Sequence, residues 1–219
     1  MQENNGRLLL TSDEETKWRV RHDQLAASHH LAGLFRGWVP EGFEDQHQRI
    51  LYVGKATSGS FDVTDAERRY FNGKGAFWNF AKQIAIACNC SEVGIPCIAW
   101  SNISKLSGQG VKAEPWLVKG FEEQAAASLE AEIVCTRPQI VVFVTNHFSD
   151  LVVRAVSGGH EDSAWSKSEN DSNQNNIWWR RREDGVAMLW MRHPMGAPMA
   201  QRVYAAGKIA ALVGLSEAS

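Results

Sequence analysis

Short continuous apolar runs alternate along this chain with amphipathic stretches. Residues 49–54 (RILYVG) are β-rich and end in glycine, which predicts a buried strand. Residues 96–102 (PCIAWSN), 139–145 (QIVVFVT) and 185–191 (GVAMLWM) predict three more. The third run is continuous in Ile and Val, as a parallel strand buried on both faces would be. Between them lie patterns of helical period. Residues 14–35 supply an imperfect stripe of Trp18, Leu25, Leu31, Leu34 and Phe35, broken by Gly37 and Pro40. Residues 76–88 carry Phe77, Phe80, Ile84 and Cys88 at spacings of three and four. Residues 121–135 set Phe121, Ala125, Leu129 and Ile133 on one face, and Pro138 ends them. Residues 146–156 and 198–215 predict two further helices.

Two stretches read as loops. Residues 55–75 are rich in Gly, Ser, Thr and Asp and long for a compact domain, a length that often marks function. Residues 157–176 are polar and poor in aliphatics, so they predict a loop or disordered insertion. No internal repeat is present. The alternation of strands and helices predicts an α/β domain, a mostly parallel sheet with helices on both faces. Ligands in such sheets bind at the carboxyl ends of the strands. The segments that begin at Gly54, Asn102, Asn146 and His193 are thus expected to share one edge.

Length adds that residues 1–219 suit one domain, able to bury a core without disulfides or metal. No apolar run approaches the ~20 residues that span a bilayer. The polar start, Met1 to Gly6, has no basic-then-apolar leader, so a cytoplasmic protein is expected. Lys plus Arg number 23 and Asp plus Glu 25, a net charge of −2. That balance argues against a nonspecific DNA coat but leaves room for a local phosphate contact. Cys88, Cys90, Cys97 and Cys135 lack the paired Cys-x-x-Cys spacing of a zinc ribbon and read as free thiols; no metal and no cofactor are expected.

Several chemistries fail on spacing. A P-loop after residue 54 would need Lys and Ser/Thr where Ser60 and Phe61 stand, and Gly-x-Gly-x-x-Gly is absent. Ser58 with His193 lacks the Gly-x-Ser-x-Gly elbow of a hydrolase. What is left is a set of residues with two readings each. Gly54 and Gly59 fit a loop whose backbone approaches a ligand, or an ordinary tight connection. His193, stiffened by Pro194 after the fourth strand, is either a hydrogen-bond donor to developing negative charge or a half-buried surface histidine. Asn102 offers donor and acceptor in one plane, suited to a base edge, yet also fits a turn. Phe77 and Trp78 would stack on a base or pack in the core. Trp178, Trp179, Arg180, Arg181 and Arg182 form a basic-aromatic run suited either to nucleic acid or to a solvated strand edge, with Glu183 and Asp184 reducing its charge.

Taken in order over residues 49–215, these pieces resemble the uracil-DNA glycosylase superfamily. ILYVGKATSG resembles its first motif, a strand leading into a glycine loop. Gly75, Ala76 and Phe77 resemble the segment whose phenylalanine stacks on uracil. AWSNISK resembles the strand whose asparagine reads the uracil edge, and RPQIVVFV resembles the third strand. His193-Pro194-Met195-Gly196 resembles the His-Pro-Ser-Pro motif. The resemblance implies a three-layer α/β/α sandwich around a four-stranded parallel sheet. It implies cleavage of the N-glycosidic bond of uracil or another deaminated base flipped from DNA. The alternative is a non-catalytic module of the same fold that binds a nucleobase, a nucleotide or DNA; an enzyme acting on a nucleobase-containing small molecule is a third reading.

By that resemblance His193 stabilises the leaving base and Asn102 selects it. Gly54, Lys55, Ala56 and Phe77 line its pocket. Met195, Gly196 and Met199 enter DNA; apart from the resemblance, Arg180 and Arg181 of the basic-aromatic run are candidate DNA contacts. The sequence departs from the family where a first-motif carboxylate or asparagine helps water attack. Thr57 and Ser58 are the candidates to position that water, Asp62 is the nearest carboxylate, and Lys55 would repel a sugar cation. The early Cys-x-x-Cys of the iron–sulfur members is missing.

Overall fold

The computed structural model describes residues 7–26, 31–57, 75–88, 97–108, 120–146, 150–158, 165–167 and 177–214. The described residues form five helices and eight strands. In chain order these are α1 (Ser12–Ala26), β1 (Leu31–Leu34), β2 (Ile50–Gly54), α2 (Ala76–Ala87), β3 (Ile98–Asn102), β4 (Leu106–Gly108), α3 (Glu122–Thr136), β5 (Ile140–Phe143), α4 (Asp150–Ser157), β6 (Ser166–Lys167), β7 (Trp178–Arg181), β8 (Ala187–Trp190) and α5 (Met199–Gly214).

The central sheet has the order β3-β2-β5-β8-β7-β6. β2, β3, β5 and β8 are mutually parallel, in the register Gly54 to Asn102, Val53 to Phe143 and Phe143 to Trp190. All four are buried along their length, which is why they read as apolar runs. The fold is therefore mixed α/β with a mostly parallel sheet. Alternate strand residues face opposite sides. Tyr52, Trp100, Val142 and Leu189 meet α2 and α5 on one side. Leu51, Val53, Val141, Phe143 and Met188 meet α1, α3 and α4 on the other. The chain runs from β2 to β3 on one side and then crosses to β5 on the other. The crevice that such a reversal opens lies above the carboxyl ends of β2 and β5.

Four expectations need correction. The sheet has six strands rather than four. β7 returns antiparallel to β8 through a tight turn in which Arg182 N–H donates to the Val186 carbonyl at 2.9 Å and Gly185 takes φ 88°. The polar stretch 157–176 holds β6, and Trp165 just before it is buried, its ring 5.9 Å from that of Trp190. The helix expected over 14–35 spans only Ser12–Ala26; Thr11 Oγ1 accepts the Glu14 N–H at its start. Leu31–Leu34 is instead a strand paired antiparallel with β4, with Gly33 at φ 145° beside the irregular register. β4 itself falls in a stretch too short and polar to read as a strand. Finally, the helix expected from residue 146 spans Asp150–Ser157, and Asn146 stands outside it in the left-handed region at φ 57°. Cys88, Cys97 and Cys135 are free thiols, and only Cys135 of the three is exposed. Among the described residues no helix is long and apolar enough to cross a membrane, and no cluster of His, Cys, Asp and Glu is placed to hold a metal ion.

Candidate functional site

The ends of β2 and β3, the start of α2 and the segment after β8 meet at one place. Gly54 closes β2 directly beside Asn102, which closes β3. A β-carbon on Gly54 would fall 2.3 Å from Asn102 Oδ1 and 3.1 Å from Phe77 Cε2. The Asn102 carboxamide and the Phe77 ring therefore press on the same bare stretch of backbone. Glycine is required here by this close approach, since the φ of Gly54 is not left-handed. His193 completes the group: its ring lies 20° from parallel to that of Phe77, with centroids 5.8 Å apart.

Each member is held by its element. Phe77 begins α2, and its ring sits 4.7 Å from Tyr52, 5.0 Å from Trp78 and 5.9 Å from Trp100. Tyr52 Oη also donates to the Phe77 carbonyl at 3.2 Å. Asn102 is 2% exposed, yet its Nδ2 has no hydrogen-bond partner among the described residues. A buried amide donor left unpaired costs ~1–3 kcal/mol, so a site that binds a carbonyl acceptor is one explanation for keeping it. The backbone of Asn102 is fixed on both sides: Ile103 N–H donates to the Gly54 carbonyl at 2.9 Å, and Lys105 Nζ donates to the Asn102 carbonyl at 2.8 Å.

The histidine is set by two further bonds. Its N–H donates to Asn146 Oδ1 at 2.8 Å, bridging the segments after β5 and β8. Its Nδ1 accepts the Met195 N–H at 3.1 Å. In the neutral ring the proton then resides on Nε2, which becomes a donor. Burial lowers the pKa of His193 below the ordinary 6.5, and the nearby positive charge of Lys55 lowers it further. The ring is thus neutral at physiological pH. Asn146 is a site residue that sequence reasoning missed; it tolerates the left-handed backbone and also accepts Trp190 Nε1 on its carbonyl at 3.0 Å. Its one signal was its position at the end of the third apolar run.

The other candidates divide. Lys55 follows Gly54, half-buried, and its carbonyl accepts Ser104 N–H at 2.9 Å. Ala56 packs on the core shared with α3. Thr57 is buried, and its hydroxyl shares a 2.6 Å hydrogen bond with Ser107 of β4. Ser58 and Asp62 lie outside the described residues. Met195 is 77% exposed, and Gly196 (φ 82°) and Met199 follow it on the surface beside His193. Arg180 and Arg181 are not brought to this edge. They pair with Met188 and Ala187 at the amino end of β8, because the antiparallel β7 runs away from His193. Arg180 lines a separate cavity of about 580 Å³ with Arg182, Glu130, Glu183 and Asp184. Arg182 there is bound to Glu130 and Asp184, and the excess of carboxylates makes that cavity a poor anion site.

Together these groups supply an aromatic ring at Phe77, an amide donor at Asn102 Nδ2 and the Nε2–H donor of a neutral imidazole. Comparison with family models and with curated proteins finds no match to this chain.

Proposed function

We propose that this chain is a DNA base-excision glycosylase of the uracil-DNA glycosylase-like class, with the corresponding α/β/α sandwich, acting on uracil or another deaminated base. The observation that carries this reading is the buried Asn102 carboxamide, its Nδ2 without a partner among the described residues, packed against Gly54 beside Phe77, with His193 stacked on the Phe77 ring.

The chemistry follows from those groups. A nucleotide leaves the base stack at a cost of a few kcal/mol, and its base settles on the Phe77 face. Asn102 selects a base that presents a carbonyl to Nδ2. As the N-glycosidic bond lengthens, electrons pass to the base and the sugar becomes cationic. His193 Nε2–H then donates to the oxygen that gains the charge. A preorganised donor of this kind is worth ~10²–10³ in rate. Water adds to the sugar carbon and loses a proton, the base anion takes up a proton and departs as the free base, and an abasic site is left. Lys55 favours the neutral imidazole and attracts the anionic base. The site works chiefly on the leaving group, because residues 55–57 include no carboxylate and the Thr57 hydroxyl is engaged by Ser107.

That same engagement favours a second reading, a non-catalytic module that binds a nucleobase, a nucleotide or DNA. The two separate in one assay. Labelled oligonucleotides carrying uracil, hypoxanthine or xanthine are incubated with the protein, then treated with alkali to cut abasic sites. Excision that vanishes in N102A/H193A supports the glycosylase. Binding of the same oligonucleotides without excision identifies the module. DNA contact in either case weakens steeply with salt, and a small-molecule enzyme shows no such dependence.

A further inference from the structure

Directly beneath Asn102 lies a charged cluster that the chemistry above does not use. Lys105 and Glu132 are both 0% exposed, and Lys105 Nζ stands 2.7 Å from Glu132 Oε1. Lys105 Nζ also donates to Ser101 Oγ at 2.7 Å and to the Asn102 carbonyl at 2.8 Å. Ser101 Oγ in turn donates to Glu132 Oε2. Two of the ammonium protons therefore meet acceptors at the end of β3, and the Glu132 carboxylate of α3 stands beside the ammonium as its counter-charge. A buried ion pair is a poor device for stability alone, since its desolvation offsets most of its attraction and apolar residues of equal volume often serve as well. An apolar side chain cannot grip the Asn102 carbonyl. The pull of Lys105 on that carbonyl and the Ile103 N–H bond to Gly54 fix the orientation of the Asn102 α-carbon from two directions. Its carboxamide is thereby held against Gly54 although Nδ2 has no partner among the described residues.

We propose that Lys105, anchored by Glu132 and Ser101, is a positioning residue that holds the Asn102 carboxamide in its ligand-reading orientation. The inference rests on the glycosylase reading only for its effect on rate; the effect on Asn102 stands apart from it. It predicts that removing both charges together spares the fold and loses the orientation.

The test uses the full chain as K105M/E132L and as S101A. Three quantities are read: the melting temperature, the single-turnover excision of uracil, and the Asn102 carboxamide signals in nitrogen–proton correlation spectra, assigned by their loss in N102A. The expected result for K105M/E132L is a melting temperature within about five degrees of the parent, carboxamide signals shifted and averaged, and excision reduced tenfold or more. S101A removes both the bond from Lys105 and the bond to Glu132, shifts the same signals and slows excision about threefold or more. Unchanged carboxamide signals in either folded variant overturn the proposal, as does wild-type excision by K105M/E132L. Should the double variant fail to fold, S101A decides on the same signals. If the parent protein excises nothing, the glycosylase reading falls, while the carboxamide signals still decide the role of Lys105.

Discussion

Adding one methyl group at Gly54 should abolish base selection while leaving the protein folded. In Gly54→Ala the new β-carbon lies 2.3 Å from Asn102 Oδ1, and 3.1 and 3.3 Å from Phe77 Cε2 and Cζ. A carbon and an oxygen ordinarily approach to ~3.3 Å, so the overlap with Asn102 is about 1 Å. Phe77 has little room to retreat, being packed by Tyr52, Trp78 and Trp100. The Asn102 carboxamide must therefore swing aside. Displacing this buried polar group costs ~1–3 kcal/mol. Alanine recovers ~0.4–1 kcal/mol by restricting the unfolded chain, because the φ of Gly54 suits any residue. The net loss is ~2.6 kcal/mol or less, a fall of ~10 °C at most for a chain this size. The functional loss is larger. With Asn102 turned away, its contact to the base is gone, and removal of one such donor typically lowers the rate by ~10²–10³. Single-turnover excision of uracil with enzyme in excess reads this directly, and thermal melting verifies the fold. A folded G54A that excises uracil at the parent rate would refute the placement of Asn102 in the site.

Three further outcomes follow from the same geometry. Lys55→Gln removes one of the two causes that lower the His193 pKa, so the acid limb of the kcat/KM profile should move to higher pH, with an unchanged limb counting against the pairing. Asn146→Gly keeps the left-handed backbone but removes the acceptor of the His193 N–H; kcat should fall about tenfold or less, read by single-turnover excision, with little change in melting temperature. Glu14 has its pKa raised by burial and by the charge of Glu132. The unfolded chain ionises it near 4.5, and the folded chain only at higher pH, so its ionisation costs stability above that range and nothing below it. Glu14→Gln should therefore raise the melting temperature at neutral pH, and melts taken at falling pH should show the gain disappear towards pH 4.5.

The parts of this molecule that could be read from its sequence are those in which local pattern and tertiary burial agree. Residues 139–145 are apolar at every position because β5 is covered on both faces, and residues 121–135 show spacing four because α3 buries Ala125, Leu129 and Ile133. Agreement failed where pairing partners are distant. Leu31 and Leu34 fit a helical stripe as well as they fit β1, and only β4, more than seventy residues later, makes them a strand. Thr57 looks like a free hydroxyl in a loop until Ser107 is brought beside it. Arg180 and Arg181 read as DNA contacts or a solvated strand edge, and only the antiparallel direction of β7 shows that they lie at the edge away from His193. Lys105 and Glu132 were invisible because charged residues are expected in water. One trace existed: Ser128, Glu132 and Thr136 repeat at spacing four beside the apolar stripe of α3, and all three are buried. Gly54, Phe77, Asn102 and His193 could be placed at one sheet edge from the sequence, since Gly54 and Asn102 end strands, Phe77 lies in the first turn of α2 and His193 follows β8 by three residues. Their mutual contact needed the structure.

The central claim is that these four residues form one base-binding site. The most direct measurement is a crystal structure of the protein with an oligonucleotide that carries an uncleavable deoxyuridine analogue. The account predicts the flipped base lying on the Phe77 ring, a carbonyl of its edge within hydrogen-bond distance of Asn102 Nδ2, and His193 Nε2 directed at a base oxygen. A base seated elsewhere, for instance in the cavity beside Arg180 and Arg182, with Asn102 Nδ2 still unpartnered, would contradict it.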